Sequence, residues 1–352
     1  MSLYINKNLW YNVIVMKKIR VISDLHMDIN KNYGFSLRDG LYEDVFTIVA
    51  GVTSGDPSLS VKWLKENITK GIAISGNHLV YNHKNKTIQQ LRNIMKKGLP
   101  IDGDVTYLDA DCGVVSKVVD GILFLGSCLY TDYTLPTKWN SAGDTVLNMN
   151  AARGGLNDFR WGGTKFEMKM VPDYASPSFP VPNVKRKVCT RFLDPSDLEK
   201  SFHKTIKMFT EILDTNEKSD NPLPVIVISH HAPTPKCISD VYSHSEINAS
   251  YATDLEDFIK NHKSIKVWCC GHIHERKIFN IDRDDGSHCA IVQNPCGYIR
   301  QWYYEYSNFN PNVFINTETW EIEVDDKLVF NEKINKEIAL KDKRLKNLAW
   351  LW

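Results

Sequence analysis

The chain has 352 residues, a formal net charge of +1 and 43% apolar residues. The near-neutral charge argues against a general nucleic-acid or membrane-surface binder, because both partners require a basic footprint. No apolar run approaches the roughly eighteen residues that span a bilayer. The length is ample for a hydrophobic core and allows either one large α/β domain or two smaller ones.

The eight cysteines are scattered, and none forms a Cys-x-x-Cys pair of the kind that binds zinc. A chain of this length needs no disulfide to fold, so we expect reduced thiols and a cytoplasmic protein. Residues 1–16 are interpreted as an N-terminal extension, since they lack the pattern of a signal peptide and Met16 directly precedes the first strand. A domain over 17–330 and a charged helical tail over 331–352 follow.

Strands and helices alternate along the first hundred residues. The pattern predicts strands at 18–23, 45–50 and 71–74, and helices at 58–67 and 87–97. Two apolar runs joined by Asp120-Gly121 then predict a β-hairpin. This alternation favours a layered α/β sandwich.

The segment 128–194 does not continue this alternation of strands and helices, because it is rich in glycine, proline, asparagine and aromatic residues. A long irregular segment in a compact domain is usually functional or disordered, and we interpret this one as a partly ordered lid or substrate segment. Regular structure resumes with helices predicted at 196–217 and 255–262. Strands near 277–281, 290–293 and 313–324 close the fold.

Four predicted strands end in polar side chains: Asp24-Leu25-His26, Ser75-Gly76-Asn77-His78, Ser229-His230-His231 and Gly271-His272-Ile273-His274. Ligands of open α/β sheets bind at the carboxyl ends of the strands, so a single site is the simplest interpretation. Taken alone, the first motif could equally be a capping aspartate beside an incidental histidine. Imidazole with carboxylate and amide oxygen, without thiolate, suits Mn, Fe or Zn in a reactive site.

The order Asp-x-His, Gly-Asn-His, Ser-His-His-x-Pro and Gly-His-x-His, between Lys18 and Tyr298, resembles the calcineurin-like metallophosphoesterase family. The resemblance implies a four-layer α-β-β-α sandwich with the irregular lid as an insertion. It also implies a metal-dependent hydrolase of phosphomonoesters or phosphodiesters. A small phosphorylated substrate would be attacked by metal-activated water.

Carried over by position, the resemblance implies two sets of metal ligands. The first ion would be held by Asp24, His26 and His274, and the second by Asn77, His230 and His272. His78 and Asp24 are the expected catalytic residues. His78 would hydrogen-bond the phosphoryl group or protonate the leaving oxygen.

Three further residues are candidates for substrate binding. Tyr298 and Arg160 lie in stretches that resemble substrate-side loops of a bacterial branch of the family, and His231 is the alternative partner of His230. A guanidinium matches phosphate oxygens bidentately, although Arg160 is equally well explained by a surface ion pair.

One position departs from the family. Where the motif after the second strand has Gly-Asp, with the aspartate bridging both ions, this chain has Gly51-Val52. The second ligand set is then neutral, so we expect one firmly bound ion and a weaker second one. Asp28 and Asp56 are spare carboxylates nearby, and Asp56 is more simply explained as a helix cap.

The substitution leaves two functions open. In the first, the chain is a working phosphoesterase. In the second, it is an impaired family member that binds a phosphorylated ligand or a protein without turnover. The retained ligand positions and His78 favour the enzyme, because a chain released from catalysis has no need to bury so many polar groups.

Overall fold

The computed structural model describes residues 16–30, 44–81, 86–159, 165–169, 188–298 and 308–325. These residues form five α-helices: α1 (Pro57–Asn67), α2 (Ile88–Gly98), α3 (Thr145–Gly155), α4 (Pro195–Glu217) and α5 (Glu256–Asn261). They also form fourteen strands: β1 (Lys18–Ile22), β2 (Phe46–Ala50), β3 (Gly71–Ile74), β4 (Val105–Tyr107), β5 (Ser116–Val119), β6 (Ile122–Gly126), β7 (Lys165–Lys169), β8 (Val188–Phe192), β9 (Val225–Ile228), β10 (Ile265–Cys270), β11 (Lys277–Asp282), β12 (His288–Gln293), β13 (Val313–Asn316) and β14 (Ile322–Val324).

Twelve of these strands form two six-stranded sheets. The first sheet has the order β14-β13-β1-β2-β3-β4, and the second has the order β11-β12-β10-β9-β6-β5. In the first sheet β1, β2, β3 and β4 are parallel. In the second sheet β12, β10, β9 and β6 are parallel. The carboxyl ends of these parallel strands therefore lie at one edge of each sheet.

Alternating residues of the strands divide the core into layers. One buried cluster joins the inner faces of both sheets, with Ile48 and Ile72 from the first and Ile226 and Val267 from the second. A second cluster joins the outer face of the first sheet to α1 and α2. A third joins the outer face of the second sheet to α4 and α5, where Trp268 is completely buried. The expected four-layer α-β-β-α sandwich is confirmed.

Side-chain caps set the starts of several helices. Asp56 accepts hydrogen bonds from the first backbone N–H groups of α1, so it is a helix cap, which was the simpler explanation of this residue. Thr87 and Gln90 form a capping box at α2. The hairpin turn at Asp120-Gly121 has both residues at positive φ and joins β5 to β6.

The inserted segment is more regular than expected. Asp144 caps α3, whose buried residues Met149 and Ala152 pack against Tyr133, and β7 pairs with β8. These elements were not predicted from the sequence, because α3 contains asparagines and ends in two glycines that lower its helix propensity. The expected strand at 313–324 is two strands, β13 and β14, joined by a turn.

Several expectations concern residues outside the described ones: the N-terminal extension over 1–15, the tail over 331–352 and Arg160. The structure does not bear on them. Within the ranges that it does describe, no helix has the length and apolarity needed to cross a membrane.

Candidate metal centre

The loops that follow β1, β2, β10 and β12 meet at one edge of the two sheets. The backbone N–H of Asp24 donates to the carbonyl of Gly51, and the N–H of His26 donates to that of Val52. From the other sheet, Gly297 donates to the carbonyl of Asp24. An isolated parallel bridge between Ser23 and Pro295 adds to this contact. The two sheets are thus joined where the polar motifs lie.

Asp24 is the centre of the cluster and is 1% exposed. Its Oδ2 accepts a hydrogen bond from the backbone N–H of His272 at 3.0 Å. Its Oδ1 is buried and accepts no hydrogen bond from the described residues. Around this oxygen lie the Nε2 atoms of His274 at 3.5 Å, His26 at 3.8 Å and His230 at 3.9 Å.

The first expected ligand set has the geometry of a cation site. Asp24, His26 and His274 each offer one ligand atom, and these atoms lie within 4.8 Å of one another. The Nε2 atoms of His26 and His274 are 3.2 Å apart. Two atoms about 2.1 Å from one ion are roughly 3.0–3.5 Å apart at ligand angles of 90–110°, so the spacing fits a shared ion. Imidazole and carboxylate are donor groups that first-row divalent metal ions accept.

The second expected set brings two acceptor atoms close together. His230 Nδ1 lies 3.1 Å from the carbonyl oxygen of Ala50, which can only accept, so the proton is on Nδ1. His230 Nε2 then presents a lone pair to the Asn77 Oδ1, 3.1 Å away. Two acceptors at this distance are stabilised by a cation between them. His272 stands beside them, with its ring 5.0 Å from that of His230.

Two glycines of the motifs are required by close approach. A Cβ on Gly271 would lie 2.4 Å from Asp24 Oδ2, and a Cβ on Gly51 would lie 2.2 Å from His230 Nδ1. Gly51 also has a φ of +95°, which glycine adopts without steric cost. Glycine at these positions lets two loops approach the buried ligands.

Burial and mutual repulsion hold the site histidines neutral in the metal-free protein. Burial lowers the pKa of His26 and His272 well below the usual range, and it lowers that of His230 in the same direction. Burial acts on Asp24 in the raising direction, but the surrounding histidines, His230 first, bring its pKa below the ordinary value. Neutral imidazole and ionised carboxylate are the forms that bind metal.

His78 lies beside this cluster rather than in it. Its Nε2 is 2.9 Å from the hydroxyl of Tyr298, and its ring stacks on Tyr81 with 4.1 Å between centroids. Burial, followed by the neighbouring His230, lowers the pKa of His78 to about 3. The ring of Tyr298 also lies 4.4 Å from that of His26, so the Tyr298 side chain reaches both the ligand cluster and His78.

The remaining candidates are placed as follows. His231 is buried, its Nδ1 is 3.4 Å from the Cys128 carbonyl, and its ring lies 4.4 Å from that of His272. This place favours support of His272 over contact with a substrate. Val52 is 2% exposed, and its Cγ2 and the Nε2 of His230 both lie within 2.8 Å of the point where a Gly76 side chain would begin.

The site opens into a cavity of about 520 Å³. Asp24, His26, Asn77, His78 and His272 line its floor, together with His274 and Tyr298. The facing wall comes from the end of α3 and from residues 238–251, and it includes Ile238, Tyr242, Ile247 and Tyr251. A small molecule therefore has access to the ligand cluster from one side.

Two residues of the site escaped the sequence reasoning. Tyr81 accepts a hydrogen bond from Asn77 Nδ2 at 2.9 Å and donates one to Asp158 Oδ2 at 3.0 Å. Asp158 is 3% exposed, and burial raises its pKa to about 6, although the hydrogen bond from Tyr81 and the neighbouring Asn77 amide act in the lowering direction. Tyr81 follows the Gly-Asn-His motif closely, but nothing in the sequence links it to Asp158, seventy-seven residues on.

No protein-family model and no curated protein sequence matches the chain. Among solved structures, the phosphopantetheinyl hydrolase (PptH) from Mycobacterium tuberculosis is similar over 83% of this chain and 94% of its own, with 16% identity and a TM-score of 0.52. A second solved structure covers 88% of this chain and 98% of its own, with 9% identity and a TM-score of 0.43, which is too low to carry an argument. The first likeness supports the fold.

The buried histidines predict that the metal-free protein loses stability in mild acid. Five of them, His26, His78, His230, His231 and His272, have lowered pKa values in the folded state. Below about pH 6.5 the unfolded chain takes up protons that the folded chain does not, so unfolding becomes easier. Between about pH 7 and pH 5.5 these histidines therefore destabilise the folded state, and Asp158, whose pKa is raised, opposes part of this loss.

Urea denaturation in the presence of a chelator at both pH values measures the net effect, for which we expect a loss of a few kcal/mol. The variant His231→Gln should show a smaller difference between the two pH values than the parent. Equal stability at both pH values would contradict the assignment of neutral, buried histidines.

Proposed function

We propose that the protein is a metal-dependent hydrolase of phosphoester bonds on a small substrate. The observation that carries the proposal is the buried Asp24 Oδ1, which accepts no hydrogen bond from the described residues although three imidazole Nε2 atoms lie within 4 Å of it. A buried carboxylate among lone pairs is costly without a cation. The cluster also forms the floor of an open cavity.

Each residue has a role in this function. Asp24, His26 and His274 would hold the first divalent ion, and Asn77, His230 and His272 would hold a second, weaker one. When bound, these ions would supply an activated water and offset charge on the phosphoryl oxygens. The water oxygen bonds to phosphorus and gives up a proton to solvent, the ester P–O bond breaks, and the leaving oxygen takes up a proton.

His78 and Tyr298 act on the phosphoryl group or the leaving oxygen. The hydrogen bond between His78 Nε2 and the Tyr298 hydroxyl aligns the two polar groups on the cavity floor. The ring of Tyr81 fixes the plane of the imidazole by stacking on it. This arrangement places a hydrogen-bond donor next to the ligand cluster before a substrate arrives.

Two similarities support the proposal. The order of the four motifs resembles that of calcineurin-like metallophosphoesterases, and the fold resembles that of the phosphopantetheinyl hydrolase, whose name describes a hydrolase. We extend only the reaction class, hydrolysis of a phosphoester, to this chain. The test is hydrolysis of an aryl phosphomonoester and an aryl phosphodiester by protein stripped of metal and then reloaded with Mn, Fe or Zn. Absence of metal-dependent turnover of either would overturn the proposal.

The variants Asp24→Ala and His274→Ala should each lose the firmly bound ion. Both residues belong to the ligand group that contains the ionised carboxylate, which attracts the cation most strongly. Elemental analysis of the purified variants, reported as ions per chain, measures the loss. Asp28→Asn is the matched control, since it removes a carboxylate four positions away that is not part of the group. Metal content equal to that of the parent in both test variants would show that the site is assigned wrongly.

The variant His78→Ala should keep its metal and lose turnover. We expect phosphoester hydrolysis to slow by about a hundredfold, the usual effect of a lost acid or base. Tyr298→Phe removes the hydroxyl that contacts His78 and should give a smaller loss in the same direction. Turnover in His78→Ala that matches the parent, at equal metal content, would reduce His78 to a structural residue.

The variant Val52→Asp should bind the second ion more tightly. Val52 is β-branched and has a φ of +35°, a conformation that aspartate tolerates better and that costs valine about 1–2 kcal/mol. The new carboxylate would lie next to the His230 Nε2, where it attracts a cation. Without metal, the buried charge costs several kcal/mol and outweighs the relief of strain. The variant should therefore melt below the parent in chelator and gain more than the parent from added Mn or Zn.

Val52→Asn is the matched control for that experiment. It has the same shape and the same tolerance of positive φ, but it adds no charge, so its metal uptake should stay close to that of the parent. If Val52→Asp takes up no additional metal and gains no activity, the alternative function, binding of a phosphorylated ligand or a protein without turnover, becomes the better explanation.

A further inference from the structure

The second ligand set depends on the orientation of one carboxamide. Asn77 contributes an oxygen to the site only if its Oδ1, rather than its Nδ2, faces His230. The two orientations have nearly the same shape, so hydrogen bonds decide between them. In the structure Oδ1 faces His230 Nε2 and Nδ2 donates to the Tyr81 hydroxyl.

In the metal-free protein the opposite orientation would be favoured by His230 itself. The proton of His230 is on Nδ1, where it is held by the carbonyl of Ala50, so Nε2 can only accept. An amide NH₂ turned toward Nε2 would satisfy that lone pair, whereas the carboxamide oxygen leaves it without a donor. Another contact must therefore hold the orientation that suits a cation.

Asp158 provides this contact through Tyr81. An ionised carboxylate only accepts hydrogen bonds, so the Tyr81 hydroxyl donates its hydrogen to Asp158 Oδ2. The hydroxyl oxygen then has only lone pairs left for Asn77, and it pairs with the NH₂ group. If Asp158 did not take that hydrogen, the hydroxyl could donate to the carboxamide oxygen instead, and the amide could turn.

The packing around Asp158 makes this contact rigid. Asp158 is 3% exposed and Asn77 is equally buried, which limits the competition of water for their hydrogen bonds. Phe159, the next residue, packs partly buried against clusters that contain Val80 and Leu198 on one side and Tyr133 and Met149 on the other. Tyr81 also stacks on His78. The inserted segment thereby reaches the Gly-Asn-His motif from outside the two sheets.

We propose that Asp158 is a positioning residue that, through the Tyr81 hydroxyl, keeps the carboxamide oxygen of Asn77 turned toward His230 and so prepares the second ligand set for a divalent cation. This inference rests on the proposed function for the presence of a second ion. It assigns to the inserted segment a role in metal binding that does not depend on the identity of the substrate.

The experiment measures binding of Mn²⁺ rather than turnover. Parent, Asp158→Asn, Tyr81→Phe and the double variant are stripped with chelator and titrated with Mn²⁺, and free Mn²⁺ is counted by electron paramagnetic resonance. We expect the first ion to bind all four proteins alike. The second Mn²⁺ ion should bind to each single variant about tenfold more weakly than to the parent, which is the usual effect of losing the partner of a metal ligand. Asp144→Asn, which makes the same change of side chain at the N-cap of α3 in the same segment, should bind as the parent does.

Two further readouts separate positioning from general loss of structure. The double variant should bind the second ion no more weakly than the weaker single variant, because both changes break one chain of contacts. In chelator at about pH 8, Asp158→Asn should melt at or above the parent temperature, because it removes a buried charge while keeping the shape of the side chain. Additive losses in the double variant, or unchanged binding of the second ion in both Asp158→Asn and Tyr81→Phe, would overturn the proposal.

The outcomes also distinguish this proposal from the proposed function. A parent protein that binds one Mn²⁺ and still hydrolyses phosphoesters would overturn the role of Asp158 and leave the function standing. A parent that binds two ions, with the second weakened in the variants, but hydrolyses no phosphoester would support the role of Asp158 and overturn the function.

Discussion

The structure depends on one buried carboxylate. Asp24 lies at the joint between the two sheets, with one oxygen held by the backbone of His272 and the other directed at three imidazole nitrogens. An isolated charge in this position would be expelled or neutralised. The histidines cannot neutralise it by protonation, because their own burial lowers their pKa values. A divalent cation would resolve both costs, since it would pair with the carboxylate and with the lone pairs at once.

The backbone around Asp24 adopts unusual conformations that bring the ligands together. Four non-glycine residues at the site, Asp24, His26, Val52 and His272, have positive φ. Such conformations cost free energy and persist where the surrounding structure imposes them, and they cluster at functional sites. Here the hydrogen bonds between neighbouring loops impose them, and Gly51 and Gly271 remove the side chains that would keep those loops apart. The strain is thus balanced by the packing of two complete sheets.

The two halves of the site, one for each expected set of metal ligands, differ in charge. The half with Asp24, His26 and His274 carries a negative charge and has the spacing of a cation site. The half with Asn77, His230 and His272 is neutral and depends on the orientation of an amide. In our proposal, the absence of a carboxylate at Val52 weakens mainly the second half, because the first half keeps Asp24. In our proposal Asp158 compensates in part, since it fixes the amide without adding a ligand.

The sequence by itself determined the layered α/β fold and the strand ends that carry the polar motifs. The strands could be predicted because an apolar run bounded by glycine and polar residues is a local signal, as in 71–74 before Gly76 and 225–228 before His230. The order of the motifs also indicated which residues meet, and the structure brings together Asp24, His26, Asn77, His78, His230, His272, His274 and Tyr298. Local signals failed for α3, whose propensity is weak and whose stability comes from packing against Tyr133.

Only the tertiary structure decided how the site residues interact. Three contacts join segments that are far apart in the chain. The ring of His231 packs on that of His272, Tyr298 hydrogen-bonds His78, and Tyr81 joins Asn77 to Asp158. Their geometry depends on how the sheets and the inserted segment pack, and a hydrogen bond requires its atoms to be placed within a few tenths of an ångström. A pattern of residue types specifies which chemical groups are present, whereas the three-dimensional packing specifies which of them face each other.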